Sequence, residues 1–119
     1  METVNLQQKF AKFSEHYKPH IVGEVNDCYV KVVKLKGEFI WHHHDNEDEL
    51  FLVVKGTLRM KFRDREAVVN AGEFIIVPKG TEHCPVADQE VHIVLIEPKS
   101  ILNTGNITNE RTVAQLERI

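Results

Sequence analysis

Residues 37–56 read GEFIWHHHDNEDELFLVVKG: three consecutive histidines, four acids within the next five positions, and then an apolar run. Histidine and carboxylate side chains are common protein ligands of transition metals. The stretch therefore indicates either a metal site or a polar surface loop that is merely rich in both residue types. The strand pattern around it distinguishes the two.

Short segments with alternating apolar and polar residues lie on both sides of this stretch. In TLRMKFR, residues 57–63, Leu58, Met60 and Phe62 share one face and the cations the other. Similar segments, most of them closed by glycine or proline, are YVKVVKLKG (29–37), FIWHHH (39–44), ELFLVVKG (49–56), EAVVNAG (66–72), EFIIVPKG (73–80) and VHIVLIEP (91–98). Six to eight short strands with no helices between them predict a mainly β protein, an antiparallel barrel or double sheet.

Both ends of the chain change to a helical period. Residues 3–16 predict a short amphipathic helix, with Leu6, Phe10 and Phe13 on one face and Thr3 as its cap. Residues 109–119 predict a second helix, because Val113, Leu116 and Ile119 share a face. We therefore expect one domain with an N-terminal helix and extension at 1–28, a β-barrel at 29–98, and a C-terminal turn and helix at 99–119.

Length and composition indicate an ordinary globular protein. The 119 residues fit one domain, and the net charge of −3 is scattered, so nothing favours a nucleic-acid partner. The longest apolar run is about five residues, too short for a membrane span, and the first residues do not resemble a secretory signal. With only Cys28 and Cys84 present, we expect free thiols and a cytoplasmic protein.

Strand geometry selects among the three histidines. Because alternate side chains share a face, His42 and His44 lie with Ile40, whereas His43 lies on the opposite side. Two such imidazoles are roughly 6–7 Å apart along a strand, close enough to converge on one ion. We favour the His42 and His44 pair, and a scheme that uses His43 remains an alternative.

Glu49 is the acid that begins the apolar run, so it is the one most readily turned inward, with Phe51 and Val53 on its face. A strand that pairs back against residues 39–44 would bring Glu49 beside the two histidines. A buried carboxylate needs a partner, because an unpaired buried charge is costly. A metal ion would supply that partner, and the acids at 45–48 would form the connecting turn.

A second segment, GEFIIVPKGTEHCPVA at residues 72–87, presents another histidine. Pro78 ends a strand there, and Gly80 permits a tight turn before His83. A single histidine after a turn is commonly structural. Here it would complete a set of three histidines and one carboxylate.

These two segments resemble the two motifs of the cupin superfamily. In the first, Gly37 precedes His42-x-His44, Glu49 follows after four residues, and Gly56 after six more. The second contains Gly72, Pro78, Gly80 and His83. About eight positions match over residues 37–87. Two positions depart from the pattern: the interval from Gly37 to His42 is one residue short, and Ala87 replaces an asparagine.

The resemblance is to small single-domain cupins with a conserved barrel, and it implies a six- to eight-stranded jelly roll. It assigns metal ligation to His42, His44, Glu49 and His83. It also implies a homodimer, because small cupins often dimerise.

The expected cofactor is one divalent transition metal: Fe, Mn, Ni, Co, Cu or Zn. Tetrahedral zinc would be saturated by four protein ligands, whereas an octahedral metal would keep two positions open. The expected pocket above the metal is largely apolar, with lining candidates Ile40, Phe51, Val53, Met60 and His92. His92 is also the remaining candidate for acid–base chemistry, although a structural histidine explains it as well. No strand offers an inward Arg or Lys, which disfavours a sugar-phosphate isomerase, although Lys55 and Lys79 near turns could reach an anion at the mouth.

Three classes of function remain. The first is a metalloenzyme of the oxygenase, isomerase or lyase type that acts on a small-molecule ligand. The second is a non-catalytic metal-binding or small-ligand sensor cupin, and the third is a structural zinc protein. Neither a membrane nor a nucleic-acid partner is expected.

Overall fold

Eight strands and one short helix make up the computed structural model, which describes residues 1–119. The elements are α1 (Leu6–Phe10), β1 (His20–Val25), β2 (Cys28–Glu38), β3 (Glu49–Lys55), β4 (Thr57–Phe62), β5 (Glu66–Asn70), β6 (Phe74–Val77), β7 (His83–Pro98) and β8 (Glu117–Arg118). The mainly β architecture predicted from the alternating segments is confirmed. No helix is long and apolar enough to cross a membrane.

The long strand β7 organises the sheet. On one side it pairs with β2 along almost its whole length. On the other side, its first residues pair with β4 and its later residues with β3, so the sheet folds around it. The order is β5-β4-β7-β2-β1-β8, with β6 added on the far side of β3. All these pairs are antiparallel except β1 with β8. The result is the barrel-like arrangement that hides most strand edges.

The inner face of this sheet is the main core. Alternation along β4 explains how it forms, because Leu58 and Met60 are fully buried while Arg59 and Lys61, which alternate with them, reach solvent. The cluster contains twelve buried residues: Val33, Leu35, Phe51, Val53, Leu58, Met60, Val69, Val77, Ala87, Val91, Ile93 and Leu95. Burying one such side chain contributes about 1.5–3 kcal/mol, so the core fixes which residues face inward.

The N-terminal helix covers part of the outer face of the sheet. Phe10 packs against Val32 of β2 and Val94 of β7. At five residues, α1 is too short to be stable alone, so this contact holds it in place. The helix is shorter than predicted and is capped by Asn5, whose side chain accepts a hydrogen bond from the Gln8 amide, rather than by Thr3.

The predicted C-terminal helix was wrong. Residues 99–119 form turns and end in β8, which pairs in parallel with β1. Side chains compete with helical hydrogen bonds there: Asn103 donates to the Arg111 carbonyl and accepts from the Val113 amide, and Thr112 accepts from the Asn109 amide. Since β1 begins at His20 and β8 lies at 117–118, the sheet extends beyond the predicted limits of 29–98 on both sides.

The segment 39–44 also pairs differently from the prediction. It does not lie against β3, both of whose edges are occupied, by β6 and β7. Instead it lies against the start of β7: the His42 amide donates to the His83 carbonyl at 3.1 Å, and the His83 amide donates back at 2.9 Å. This pairing brings the two histidine-bearing segments together.

Candidate metal centre

Four buried side chains from separate parts of the sequence converge inside the barrel. His42 and His44 come from the segment after β2, and Glu49 and His83 begin β3 and β7. One ligand atom from each lies within 4.8 Å of the other three. Their residues are 3%, 5%, 4% and 0% exposed, in that order. His43 points away, and its Nε2 contacts the Asp45 carboxylate at 2.9 Å.

Backbone hydrogen bonds fix each residue of the segment 42–44. His42 is held by the two bonds to His83, and the His44 carbonyl accepts from the Gly80 amide at 2.7 Å. The C-terminal segment holds His43: the Asn106 side chain accepts from its amide, and the Asn106 amide donates to its carbonyl. The histidine segment is therefore positioned by backbone contacts from both β7 and the C-terminal segment.

Carbonyl groups orient two of the rings. Nδ1 of His42 lies 2.9 Å from the Ile40 carbonyl, and Nδ1 of His83 lies 2.9 Å from the Thr81 carbonyl. A carbonyl only accepts, so Nδ1 carries the hydrogen in both rings and Nε2 keeps a free lone pair. Outer hydrogen bonds of this kind fix the tautomer that a metal-ligating histidine needs.

The atoms at the centre of the cluster lack hydrogen-bond partners. Nε2 of His44 and Nε2 of His83 each lie 3.3 Å from Oε1 of Glu49, yet none of the three atoms makes a hydrogen bond. An unpaired buried polar group costs about 1–3 kcal/mol, and three at one point are unusual. A cation between them would satisfy all three, so the residues present fit a divalent metal.

Protonation states at the cluster also suit a metal. Burial, with the neighbouring His83 as the second cause, lowers the pKa of His42 to about 4, so its imidazole is neutral at pH 7. Burial alone would raise the pKa of Glu49, but the adjacent Glu97 carboxyl and the His44 and His83 rings hold it well below its usual range. Neutral imidazoles and an ionised carboxylate are the forms that bind metals.

A small cavity of about 40 Å³ adjoins the cluster. Its lining comprises Tyr17, Pro19, Val33, Leu35, Phe39, His42, Glu49, Phe51, Pro85, Ile93, Leu95, Glu97 and Asn103. Most of this wall is apolar, as the strand faces predicted. Tyr17 stacks on Phe39 with ring centroids 4.6 Å apart, and its hydroxyl donates to the Gly37 carbonyl at 2.6 Å. The N-terminal segment therefore forms part of the wall.

Of the predicted lining residues, the structure places only Phe51 at this cavity. Val53 and Met60 are buried in the core. Ile40 lies outside the lining because strand alternation stops after β2, and Phe39 takes the inward position instead. His92 lies on the outer face of β7, stacked on Phe10 at 4.6 Å and bonded to Glu90 at 2.9 Å. It therefore cannot supply acid–base chemistry at the cluster.

The sequence interpretation missed a buried ion pair. Nζ of Lys31 lies 2.7 Å from Oε1 of Glu97, and both side chains are 2% exposed. The expectation that no strand offers an inward lysine was wrong, because Lys31 lies on the inner face of β2. Glu97 could have been found, since it alternates with Val91, Ile93 and Leu95. Burial and the charge of Glu49 raise the pKa of Glu97 well above its usual range.

Both cysteines are free, as expected, and Cys84 lies outside the cluster. Its Sγ donates to the Glu38 carboxylate at 3.7 Å. Burial, with the charge of Glu38 second, raises the pKa of the thiol to about 11. Geometry therefore separates Cys84 from the four side chains that could hold a metal.

Known proteins share both the sequence pattern and the fold. The cupin-domain family model matches residues 29–97. A cupin-2 domain containing protein from Shewanella frigidimarina NCIMB 400 is 45% identical, with a TM-score of 0.80 over 81% of this chain and 94% of that one. The protein NMB1881 from Neisseria meningitidis is 32% identical, with a TM-score of 0.76 over 82% and 100% of the two chains.

One curated protein is also similar to this chain, and its name states no activity. The uncharacterized protein YdbB of Bacillus subtilis (strain 168) is 42% identical over 79 residues. Those residues are 66% of this chain and 64% of YdbB, so the match covers less than two thirds of that relative. The family match alone spans more than half of the chain and includes the segments that supply all four converging side chains. The chain therefore belongs to the cupin family, and residues 29–97 are its cupin domain.

Proposed function

We propose that this cupin binds one divalent transition metal through His42, His44, Glu49 and His83, and that it acts on a small molecule held in the adjoining cavity. The observation that carries the proposal is the meeting of three buried, unpartnered atoms, Nε2 of His44, Nε2 of His83 and Oε1 of Glu49. Because the three atoms are buried, leaving them without a cation costs free energy. The low dielectric of the interior also strengthens their electrostatic attraction for a cation.

The donor set favours a first-row transition metal. Three neutral imidazoles and one carboxylate leave a divalent ion with a net charge of about +1, and this mixed set suits Fe, Mn, Co, Ni, Cu or Zn. Bound there, such a metal supplies Lewis-acid or redox chemistry to an oxygen-containing ligand. Octahedral metals keep two positions for that ligand, whereas tetrahedral zinc would be saturated.

The cavity limits what the ligand can be. A volume of about 40 Å³ holds roughly three water molecules, so only a very small ligand, or the reactive end of a larger one, enters without rearrangement. Phe39, Phe51 and Leu95 surround it with apolar surface that excludes further water. These properties support an oxygenase, isomerase or lyase that acts on a small substrate.

A sugar-phosphate substrate is disfavoured by the charges. No lysine or arginine lines the cavity, and the inward Lys31 is already paired with Glu97. Apart from the metal itself, a phosphate there would meet two carboxylates, Glu49 and Glu97, and no unpaired lysine or arginine.

The second candidate is a non-catalytic metal-binding or sensor cupin. The observation that favours it is that Glu97 and Tyr17 are the only titratable side chains in the lining besides the proposed ligands, and the Tyr17 hydroxyl already donates to the Gly37 carbonyl. Elemental analysis after metal-supplemented expression separates the candidates. Bound iron that reacts with dioxygen supports the oxygenase type, and bound zinc that resists exchange supports the non-catalytic alternative.

We also propose that two copies associate through the part of the outer sheet face that α1 leaves uncovered. Leu50 lies opposite Ile76 on one side and Ile96 on the other, and Leu52 lies opposite Phe74. Phe74 and Ile76 are 60% and 52% exposed, on a strand that pairs only with β3. These rows carry no charge, so identical rows in a second copy meet without like-charge repulsion.

The cytoplasmic location stays a prediction.

A further inference from the structure

We propose that Glu97, anchored by Lys31 behind it, forms a polar subsite in the metal cavity, and that this subsite binds a hydroxyl group of the ligand. The inference rests on the proposed function and names the class of molecule that the same cavity takes. It concerns residues that the metal-ligand set does not use.

Glu97 has one carboxylate oxygen that is anchored and one that has no hydrogen-bond partner. It lies on the inner face of β7, two residues after Leu95, and lines the same cavity as His42 and Glu49. Its Oε1 accepts a hydrogen bond from Nζ of Lys31 at 2.7 Å. Its Oε2 is fully buried and has no partner. One oxygen is therefore anchored, and the other is free to contact a ligand.

Burying Lys31 and Glu97 in an apolar wall costs free energy. Burying a lysine and a glutamate together requires the desolvation of both groups, and apolar residues of similar volume commonly replace such pairs without loss of stability. The unpartnered Oε2 adds to this cost. The surrounding wall is apolar, with Ile93 and Leu95 on the same strand, so packing alone does not require charge here. A costly polar group in such a wall is typical of ligand recognition.

The chemistry of Oε2 selects the ligand group. A hydroxyl both donates and accepts hydrogen bonds, so it pairs with Oε2 whether or not the carboxyl carries a proton. An apolar group would leave Oε2 unpaired, and an anionic group would meet the charge of Glu49. The expected ligand is therefore a small molecule that binds the metal through oxygen at one end and carries a hydroxyl at the other, as in small hydroxy acids.

Two matched probes test this inference on the Co²⁺-loaded protein: propanoate and 3-hydroxypropanoate, followed by the visible absorption of cobalt. We expect 3-hydroxypropanoate to bind roughly tenfold more tightly, which corresponds to about 1.4 kcal/mol and is within the range of one net hydrogen bond. In the double variant Lys31→Met/Glu97→Leu, the preference should fall below about twofold. Replacing both partners avoids leaving one buried charge alone, which protects folding.

The control is Glu90→Gln, on the outer side of β7, where Glu90 contacts His16 and His92. It should keep the full preference for the hydroxylated probe. The inference fails if the wild type binds both probes equally, if it does not bind 3-hydroxypropanoate, or if the preference persists in the double variant. If the wild type does not bind Co²⁺ at all, the proposed function fails first, and that outcome is seen before any probe is added.

Discussion

Nε2 of His83 lies 3.3 Å from Oε1 of Glu49, and neither atom has a hydrogen-bond partner, although both residues are buried. The two residues are 34 positions apart in the sequence and begin different strands. Their contact is produced by β7, which carries His83 at its first residue and pairs with β3 further along. The barrel therefore brings the four candidate metal ligands together at the edge of its apolar core.

The low pKa of His42 predicts a pH-dependent stability of the metal-free protein. Burial and the neighbouring His83 lower this pKa to about 4 in the folded state, against about 6.5 in the unfolded chain. Between these values the unfolded state binds more protons, so stability falls as the pH drops from 6.5 to 4 and loses nothing more below 4. The loss is on the order of 3 kcal/mol.

Urea unfolding at pH 7, 5 and 4 in the presence of EDTA measures this dependence. The His42→Leu variant lacks the titrating group and is the control. We expect the wild type to lose more stability than the variant over this range. Parallel curves for the two proteins would show that His42 is not the group that titrates.

A side chain at position 105 should weaken metal binding, although Gly105 is not one of the proposed metal ligands. Its φ is +58°, and a Cβ built there would lie 2.2 Å from the His43 carbonyl oxygen and 3.0 Å from the His42 ring. The substitution Gly105→Ala therefore must displace the histidine segment or the C-terminal turn. We expect metal affinity to fall at least tenfold, measured by Co²⁺ titration.

Gly72→Ala is the matched control for this substitution. Gly72 has a similar positive φ of +85°, but a Cβ there meets nothing within 4 Å. Both variants bear backbone strain of about 1–3 kcal/mol, and only Gly105→Ala adds the collision. Equal metal affinities for the two variants would contradict the role given to the C-terminal segment.

If two copies of the protein associate through the exposed apolar rows, one charged substitution in those rows should disrupt the dimer. Phe74→Lys places a cation between copies, so the protein should sediment as a monomer at concentrations where the wild type is a dimer. Val68→Lys is a suitable control, because Val68 is similarly exposed but lies on β5, away from these rows. A monomeric wild type, or an effect of equal size in the control, would count against this interface.

The strand pattern was sufficient to predict the β architecture and the inward positions of His42 and His44, because alternation along a strand is a local property. It gave the wrong partner for residues 39–44, since pairing depends on which edges other strands leave free. The C-terminal helix failed because Asn103 and Thr112 compete for backbone groups, which apolar spacing does not reveal. Tyr17 and Asn103 reach the cavity from the two terminal segments, and no local signal indicated this.

The Lys31–Glu97 pair was missed for a different reason. Lysine and glutamate are normally exposed, so charged residues on a strand are assigned to the outer face unless a partner is visible. Here the partners are 66 positions apart and meet only through the pairing of β2 with β7. The alternation of Glu97 with Ile93 and Leu95 was the available signal.

The most direct measurement is the metal-to-protein ratio of purified variants, determined by Co²⁺ titration and elemental analysis. We expect about one metal per chain in the wild type and in His43→Ala, because His43 faces away from the cluster and contacts Asp45. His83→Ala and Glu49→Gln should lose stoichiometric binding while circular dichroism shows an unchanged β fold. Equal loss of metal in His43→Ala, or full retention in both His83→Ala and Glu49→Gln, would contradict the proposed metal centre.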